Sequence, residues 1–166
     1  MGVVLARVDD RLIHGQVTVG YCQKLRPARI LLANNAIAAD EWQTQVYGSS
    51  VPPNIGVSIL SIAESVSFLK GPLGRKERIL LLTGSLFEMS EVVRLGAPVE
   101  RVNVGGLHFA AGKRKLLPFV YVDEMDLRAL HKLDRLGVAL AAQQVPGGKE
   151  YVLSRELMQG LEVEFS

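Results

Sequence analysis

Short apolar runs alternate with helix-like segments along the whole chain, and this alternation constrains the fold more than any other feature. Runs that are apolar throughout are typical of parallel strands covered on both faces. We therefore predict a single α/β domain over residues 1–166, an open, doubly wound, mainly parallel sheet of about seven strands with helices on both faces. The predicted strands are residues 3–7, 29–33, 57–60, 78–82, 101–104, 119–122 and 138–143.

Capping signals place the helices between these strands. Ser61 with Glu64, and Ser85 with Glu88, each fit a capping box that opens a helix. Asn35 is expected to cap a helix that runs to residue 47, and residues 71–74 are expected to form a turn. The other predicted elements are helices over 15–26, 61–70, 85–95, 123–136 and 154–159, and a last edge strand over 161–165.

Composition excludes several classes of protein. A net charge of +2 over 166 residues does not favour nucleic acid or an anionic membrane as a partner. The only cysteine, Cys22, cannot form an internal disulfide, and the three histidines lack metal-ligand spacing, so we expect no metal site. Neither a signal peptide nor an apolar stretch of about 18 residues is present, which predicts a cytoplasmic protein.

A charged turn follows the first predicted strand, and it carries the main candidate site. In open α/β sheets, ligands bind beyond the carboxyl ends of strands, and arginines near a helix start favour phosphate. A neutral imidazole can attack phosphorus while arginines stabilise the transferring oxygens. These residues favour the hypothesis that His14 accepts a phosphoryl group and that Arg11 is its charge partner. The other phosphate-binding residues expected in this turn are Arg7, Asp9, Asp10, Gly15 and Gln16.

A second loop is expected to complete this site. With the strand order 3-2-1-4, the first and fourth predicted strands are neighbours, and a crevice opens where the chain reverses direction. The loop after the fourth strand contains Thr83, Gly84 and Ser85, which offer hydroxyl and main-chain donors. We expect these three residues to lie near Arg11 and His14.

The same residues also allow a purely structural interpretation. The arginines and aspartates of the turn could pair with one another, with Asp9 or Asp10 capping the following helix. His131 is expected on a helix surface, and His108 is expected to be structural, although it could reach the same edge of the sheet. The chain has no GxxxxGK[ST], GxGxxG or GxSxG motif at a strand-to-helix turn, so those nucleotide-binding and hydrolase sites have no support.

One run of eleven residues resembles a known family. Arg7-Val8-Asp9-Asp10-Arg11-Leu12-Ile13-His14-Gly15-Gln16-Val17 is similar to the R-[IV]-D-D-R-L-I-H-G-Q-V signature of enzyme IIB of the mannose/fructose/sorbose family in the bacterial phosphoenolpyruvate:sugar phosphotransferase system. Similarity extends over Asn34-Asn35, Ala38-Ala39-Asp40-Glu41, Val102-Asn103-Val104-Gly105-Gly106, Gly137-Val138 and Val145-Pro146. Family members often have tryptophan where this chain has Tyr21.

The resemblance implies a phosphocarrier that acts as a protein-phosphohistidine–sugar phosphotransferase. His14 would accept a phosphoryl group on Nδ1 from phosphorylated enzyme IIA, a separate protein, with Arg11 binding the group. It would pass the group to a sugar bound by the membrane components IIC and IID, at the inner face of the membrane. No cofactor is implied, and a homodimer is allowed. The sugar itself is not indicated by the sequence.

Two other functions use the same loop. A regulatory phosphoprotein could signal its phosphorylation state without transporting sugar, and the sequence does not separate it from a carrier. A histidine phosphatase also forms a strand-end phosphohistidine, but it has arginine, histidine and glycine in succession. Here Leu12 and Ile13 separate Arg11 from His14, which disfavours a phosphatase.

Overall fold

A computed structural model of the protein describes residues 1–165, with side chains up to residue 161, and these residues form a seven-stranded sheet and a separate two-stranded hairpin. The order in the sheet is β3-β2-β4-β1-β5-β8-β9, with β9 alone antiparallel to its neighbour; β6 and β7 form the hairpin. The strands are β1 (Gly2–Val8), β2 (Arg29–Ala33), β3 (Gly56–Leu60), β4 (Arg78–Thr83), β5 (Arg101–Val104), β6 (Arg114–Leu117), β7 (Val120–Val122), β8 (Ala139–Gln143) and β9 (Glu150–Val152).

Helices cover both faces of the sheet. The first begins with a π-helical segment (Gln16–Tyr21) that continues as α1 (Cys22–Leu25). No helix within residues 1–165 is long and apolar enough to cross a membrane. The helices after α1 are α2 (Asn35–Ala38), α3 (Glu41–Ser49), α4 (Ile62–Lys70), α5 (Pro72–Lys76), α6 (Leu86–Arg94), α7 (Glu124–Arg135) and α8 (Arg155–Phe165).

The predicted sheet class is confirmed, but the predicted order 3-2-1-4 is wrong. The fourth strand lies between the second and the first, so the observed order begins 3-2-4-1. Both β1 and β4 are apolar enough for a central place, and their hydrophobic pattern does not say which is nearer to β2. The neighbourhood of β1 and β4, which the site requires, is nevertheless observed over six residue pairs.

Several element assignments are corrected by the structure. Residues 120–122 pair with β6 in the hairpin instead of the main sheet, whose seventh strand is β9. Residues 161–165 continue α8 and form no edge strand, because the preceding turns propagate as a helix. The predicted turn over 71–74 is largely the short helix α5, in which Pro72 occupies the first position, where its missing N–H costs nothing.

The single helix predicted after β2 is divided in two. Asn34, not Asn35, caps α2 by accepting from the Ile37 N–H at 2.9 Å. Asp40 then caps α3 by accepting from the Gln43 N–H at 3.1 Å. A second capping residue five positions inside the predicted helix thus begins a separate helix.

A π-helical segment begins the helix that follows the charged turn. Its hydrogen bonds extend over one more residue than in an α-helix, as between the Cys22 N–H and the Val17 carbonyl. On its outer side, a β-carbon added at Gly20 would come within 2.5 Å of Pro146 Cγ, so the loop after β8 packs directly on this segment. The helix predicted over 15–26 is confirmed in extent, with this irregular first half.

Two apolar clusters lie on opposite faces of the sheet, and β4 contributes to both. Ile79 and Leu81 face the larger cluster with α4, α6, α7 and α8, whereas Leu80 and Leu82 face the cluster with the first helix and α2. All four side chains are fully buried. The carboxyl ends of β4 and β1 are therefore held from both faces, which fixes the edge where their loops emerge.

Leu81→Ala should lower the free energy of unfolding by about 2–5 kcal/mol, because it leaves a cavity in the larger cluster. Leu73→Ala is the matched control, since 55% of Leu73 is exposed and its loss should change stability by less than about 0.5 kcal/mol. Urea unfolding followed by circular dichroism measures both values. Equal effects of the two substitutions would contradict the assignment of β4 to the centre of the core.

Candidate active site

The charged turn lies at the carboxyl edge of the sheet, where β1 ends between β4 and β5. The Asp9 N–H donates to the Thr83 carbonyl and the Asp10 N–H to the Gly106 carbonyl, both at 3.0 Å. A β-carbon added at Gly84 would come within 2.8 Å of Leu12 Cδ2. The loops after β1 and β4 are thus in contact, as expected for neighbouring strands, and the loop after β5 joins them.

Arg7 and Asp9 form an ion pair at the base of the turn, and both side chains are fully buried. Arg7 Nη2 lies 3.1 Å from Asp9 Oδ2. The guanidinium also lies 4.7 Å from the centre of the Tyr21 ring. Its further hydrogen bonds, all to acceptors from other parts of the chain, are to Tyr21 Oη (2.9 Å), Asn103 Oδ1, the Gln143 carbonyl (2.9 Å) and the Gln144 carbonyl (3.0 Å).

The Asp9 carboxylate is shared between two arginines. Oδ1 accepts from the Arg11 main chain and from Arg11 Nε, and Oδ2 accepts from Arg7, from Arg11 Nη2 and from the Gly106 N–H. Burial opposes ionisation, but the Arg11 hydrogen bonds, the Arg7 charge and the Gly106 amide outweigh it and lower the pKa of Asp9. Asp9 therefore remains an anion that orients Arg11.

Arg11 is the accessible cation of the turn. Besides its two side-chain bonds to Asp9, Arg11 Nη2 donates to Gln16 Oε1 at 3.0 Å, so three contacts fix the plane of the guanidinium. The hydrogen bond to Asp9 raises the pKa of Arg11, although partial burial acts in the opposite direction. Because 32% of its side chain is exposed, Arg11 is accessible to an anion while it keeps its hydrogen bonds to Asp9.

The His14 imidazole lies between the Leu12 carbonyl and the Asp9 carboxylate. Nδ1 is 2.8 Å from the Leu12 oxygen, so this nitrogen carries the proton in the conformation observed. Nε2 is buried, makes no hydrogen bond and lies 3.9 Å from Asp9 Oδ2. Leu12 adopts a left-handed conformation, with φ of 60°, which is unusual for a branched side chain.

Asp10 interacts with His108 instead of His14. Asp10 Oδ1 lies 2.6 Å from His108 Nδ1, and Oδ2 accepts from the His108 main-chain N–H at 2.7 Å. His108 thus reaches the edge of the sheet that carries the turn, while its side chain remains exposed. His131 lies in α7, the amphipathic helix in which it was predicted.

Two glycines after β5 allow the charged side chains to approach the main chain. A β-carbon added at Gly105 would lie 2.2 Å from Arg7 Nη2 and 2.6 Å from Asp9 Oδ2, and one at Gly106 would lie 3.2 Å from Arg11 Nη2. At Gly15, by contrast, an added β-carbon would meet no other atom within 4 Å. The surface beside His14 is open, so it can admit a molecule from outside the chain.

The opposite wall of the site uses its hydroxyl groups internally. Thr83 Oγ1 donates to the Ser85 carbonyl at 3.0 Å, and Ser85 Oγ caps α6 and donates to Glu88 Oε1 at 2.9 Å. Asn34 Nδ2 binds the other Glu88 oxygen at 3.1 Å, which ties the loops after β2 and β4 together. Burial raises the pKa of Glu88, and the Ser85 hydrogen bond only partly offsets it.

Sequence reasoning assigned no role in the site to three residues around Arg7. Asn103 lies between the buried residues Val102 and Val104 of β5, Gln143 ends β8, and the Tyr21 hydroxyl donates to Gln143 Oε1 at 3.1 Å. A polar residue at the carboxyl end of a buried strand is a signal that could have identified Asn103 and Gln143. Their partner could not have been identified, because Arg7 is far away in sequence.

The arrangement supports transfer of an anionic group to a histidine. A nucleophilic imidazole lies beside an accessible guanidinium whose direction is fixed by a buried carboxylate. Within the described part of the chain, no group of three or more His, Cys, Asp or Glu side chains is arranged to hold a metal ion.

Comparisons with known proteins find relatives along most of the chain. Residues 3–161 match the family model described as the sorbose subfamily IIB component of the PTS system. The sorbose-specific EIIB component of Klebsiella pneumoniae is 33% identical over 140 residues, covering 84% of this chain and 85% of that protein. The fructose-specific EIIB component of Bacillus subtilis is 32% identical over 146 residues, covering 88% of this chain and 90% of that protein.

Solved structures also match along the full length. The crystal structure of the IIBSor domain of the sorbose permease from Klebsiella pneumoniae superposes with a TM-score of 0.87 at 30% sequence identity and covers 100% of both chains. Among sequence relatives, the mannose-specific EIIAB component of Escherichia coli K12 is 32% identical over 145 residues, and 87% of this chain matches 45% of that longer protein.

Asp9→Asn should lower the free energy of unfolding at pH 7 by about 3–5 kcal/mol, because it leaves the buried Arg7 charge without a partner. The folded-state pKa of Asp9 is below that of the unfolded chain, so its stabilising effect is present above about pH 3.9. It is lost as the pH falls through the folded-state pKa. Urea unfolding between pH 7 and pH 2 should show the two proteins converging in stability.

Asp10→Asn is the matched control for this measurement. Its carboxylate pairs with an exposed imidazole, so the substitution should cost no more than about 1 kcal/mol. A stability for Asp9→Asn equal to wild type at pH 7 would contradict the structural role given to the buried pair.

Proposed function

The chain belongs to the sorbose subfamily of phosphotransferase-system IIB components, and we propose that His14 is the residue on which it carries the phosphoryl group. Proteins of this kind are sugar phosphotransferases that serve sugar transport. The observation that carries the proposal is the position of the His14 imidazole, beside an accessible guanidinium on a loop at the carboxyl edge of the sheet.

The proposed cycle has two transfers. The His14 imidazole attacks the phosphorus of a phosphohistidine on enzyme IIA, and the N–P bond to IIA breaks as the N–P bond to His14 forms. The group then passes to a sugar held by the membrane components IIC and IID. This places the protein at the inner face of the membrane, bound through those components. Because relatives are named for sorbose, fructose and mannose, the sugar is not assigned.

The reacting nitrogen is proposed to be Nδ1, as the family resemblance implies. In the observed conformation Nδ1–H donates to the Leu12 carbonyl, and Nε2 is buried 3.9 Å from Asp9 Oδ2. Attack by Nδ1 therefore requires the ring to leave the Leu12 oxygen and to move its proton to Nε2, where the Asp9 carboxylate stabilises it. The observed ring orientation is that of a resting state.

Arg11 is proposed to bind the oxygens of the transferring phosphoryl group. Asp9 and Gln16 hold its guanidinium from one side, so the charge is already oriented before the group arrives. Arg7 has a different role in this proposal: its buried guanidinium positions Asp9, and through Asp9 it supports Arg11 and His14. Gly15 contributes by leaving space for the approach of the donor.

The loop after β4 is proposed to form the second wall of the phosphoryl site. Thr83 and Ser85 use their hydroxyls within the protein, so their contribution comes from the main chain near the start of α6. Gly84 keeps this wall close to Leu12. Small anions at this position would thus meet Arg11 on one side and main-chain donors on the other.

Replacement of His14 tests the carrier role directly. The protein is incubated with phosphoenolpyruvate, the general phosphotransfer proteins and a cognate IIA, and acid-labile phosphate is measured by mass spectrometry. We expect one phosphoryl group on His14 in the wild type and only background labelling of His14→Ala. Equal acid-labile phosphate on His14→Ala, folded as judged by circular dichroism, would refute the assignment.

Arg11→Ala should slow phosphoryl transfer from IIA by a factor of about 10² to 10³, the effect typical of losing one oriented charge stabiliser. Arg11→Lys should fall between this variant and wild type, because a lysine keeps the charge but not the planar fork that Asp9 and Gln16 hold. Rapid-quench kinetics measure the three rates. An unchanged rate in Arg11→Ala would remove Arg11 from the mechanism.

A further inference from the structure

A second imidazole, that of His108, lies at the rim of the turn that carries His14. We propose that Asp10 holds His108 in position and that His108 Nε2 donates a hydrogen bond to the phosphoryl group during its transfer to His14. The proposal rests on the proposed function and adds a residue to it.

The main chain around His108 is attached to the turn at several points. The Asp10 N–H donates to the Gly106 carbonyl at 3.0 Å, and the Gly106 N–H donates to Asp9 Oδ2 at 3.3 Å. A β-carbon on Gly106 would approach Arg11 Nη2 to 3.2 Å, so this segment runs along the Arg11 guanidinium. His108 follows two residues later and binds Asp10, the residue next in sequence to Arg11.

Asp10 also fixes how the His108 ring is oriented. One carboxylate oxygen binds Nδ1 at 2.6 Å and the other binds the His108 main-chain N–H at 2.7 Å, so both oxygens hold the same residue. An exposed histidine without such contacts would sample several rotamers. Here Nδ1 faces Asp10 and carries a proton, so Nε2, on the opposite side of the ring, is left for another partner. The side chain is 64% exposed, which makes it accessible to a docked protein.

Charge gives this pair its expected effect on an anion. An unpaired Asp10 carboxylate, 34% exposed at the rim, would repel a phosphoryl group. When His108 carries a proton on both nitrogens, it balances Asp10 through Nδ1–H and presents Nε2–H to a phosphoryl oxygen. The proton stays on His108 throughout: one N–P bond breaks on IIA and one forms on His14, and His108 only donates a hydrogen bond.

A purely structural clamp is the competing explanation for the same contacts. In that case Asp10 and His108 would only join the two loops, and their loss would change stability without a specific effect on transfer. The two explanations differ in what happens when both residues are replaced, because removal of Asp10 also removes the repulsion that a missing His108 would expose.

The test is a double-mutant cycle on the rate of transfer from phosphorylated IIA, measured by rapid quench with the full-length protein. His108→Ala should slow transfer about 10-fold to 100-fold, the range for one hydrogen bond to a charged group. Adding Asp10→Asn to His108→Ala should restore part of the rate. His108→Gln, which keeps an N–H donor, should be faster than His108→Ala.

Controls separate this proposal from the function on which it rests. Lys76→Ala, exposed in α5 just before the amino end of β4, should transfer at the wild-type rate, and unfolding midpoints of all variants are compared. A His108→Ala rate within twofold of wild type, equal rates for His108→Ala and His108→Gln, or fully additive losses in the double variant would each overturn the role of His108. Label absent from His14 in the wild type would instead overturn the carrier function.

Discussion

The buried ion pair between Arg7 and Asp9 is the interaction on which the rest of the site depends. Two opposite charges without solvent are stable only when further hydrogen bonds satisfy them. Arg7 finds these partners on the π-helical segment, on β5 and at the end of β8, and Asp9 finds them on Arg11 and Gly106. This pair therefore connects the loops at the edge of the sheet, and Asp9 also binds Arg11 directly.

The arrangement around Asp9 orients the side chains of Arg11 and His14. Arg11 faces outward because Asp9 holds it from below, and His14 is placed between the Leu12 carbonyl and the same carboxylate. Asp10, next in sequence, points to His108 at the rim. The two adjacent aspartates thus have different partners: Asp9 binds the two arginines, and Asp10 binds the exposed His108.

Sequence alone predicted the class of fold and the contact between the loops after β1 and β4, but not the internal connections of the candidate site. Apolar strands and capping boxes are local signals, so β1, β4, α4 and α6 were anticipated closely. The order of β1 and β4 and the hairpin of β6 with β7 depend on tertiary packing, which local patterns do not encode. The partners of Arg7 lie up to 137 residues away, and no local pattern links them.

Identification of the His14 nitrogen that carries the phosphoryl group tests the central claim, transfer to Nδ1 of His14, most directly. Long-range ¹H–¹⁵N and ³¹P NMR of the protein before and after phosphorylation would observe both His14 nitrogens. We predict Nδ1–H in the resting protein, consistent with its bond to Leu12, and afterwards a phosphorus bonded to Nδ1 and the ring proton on Nε2 near Asp9. Phosphorus on Nε2, or on any residue other than His14, would contradict this mechanism.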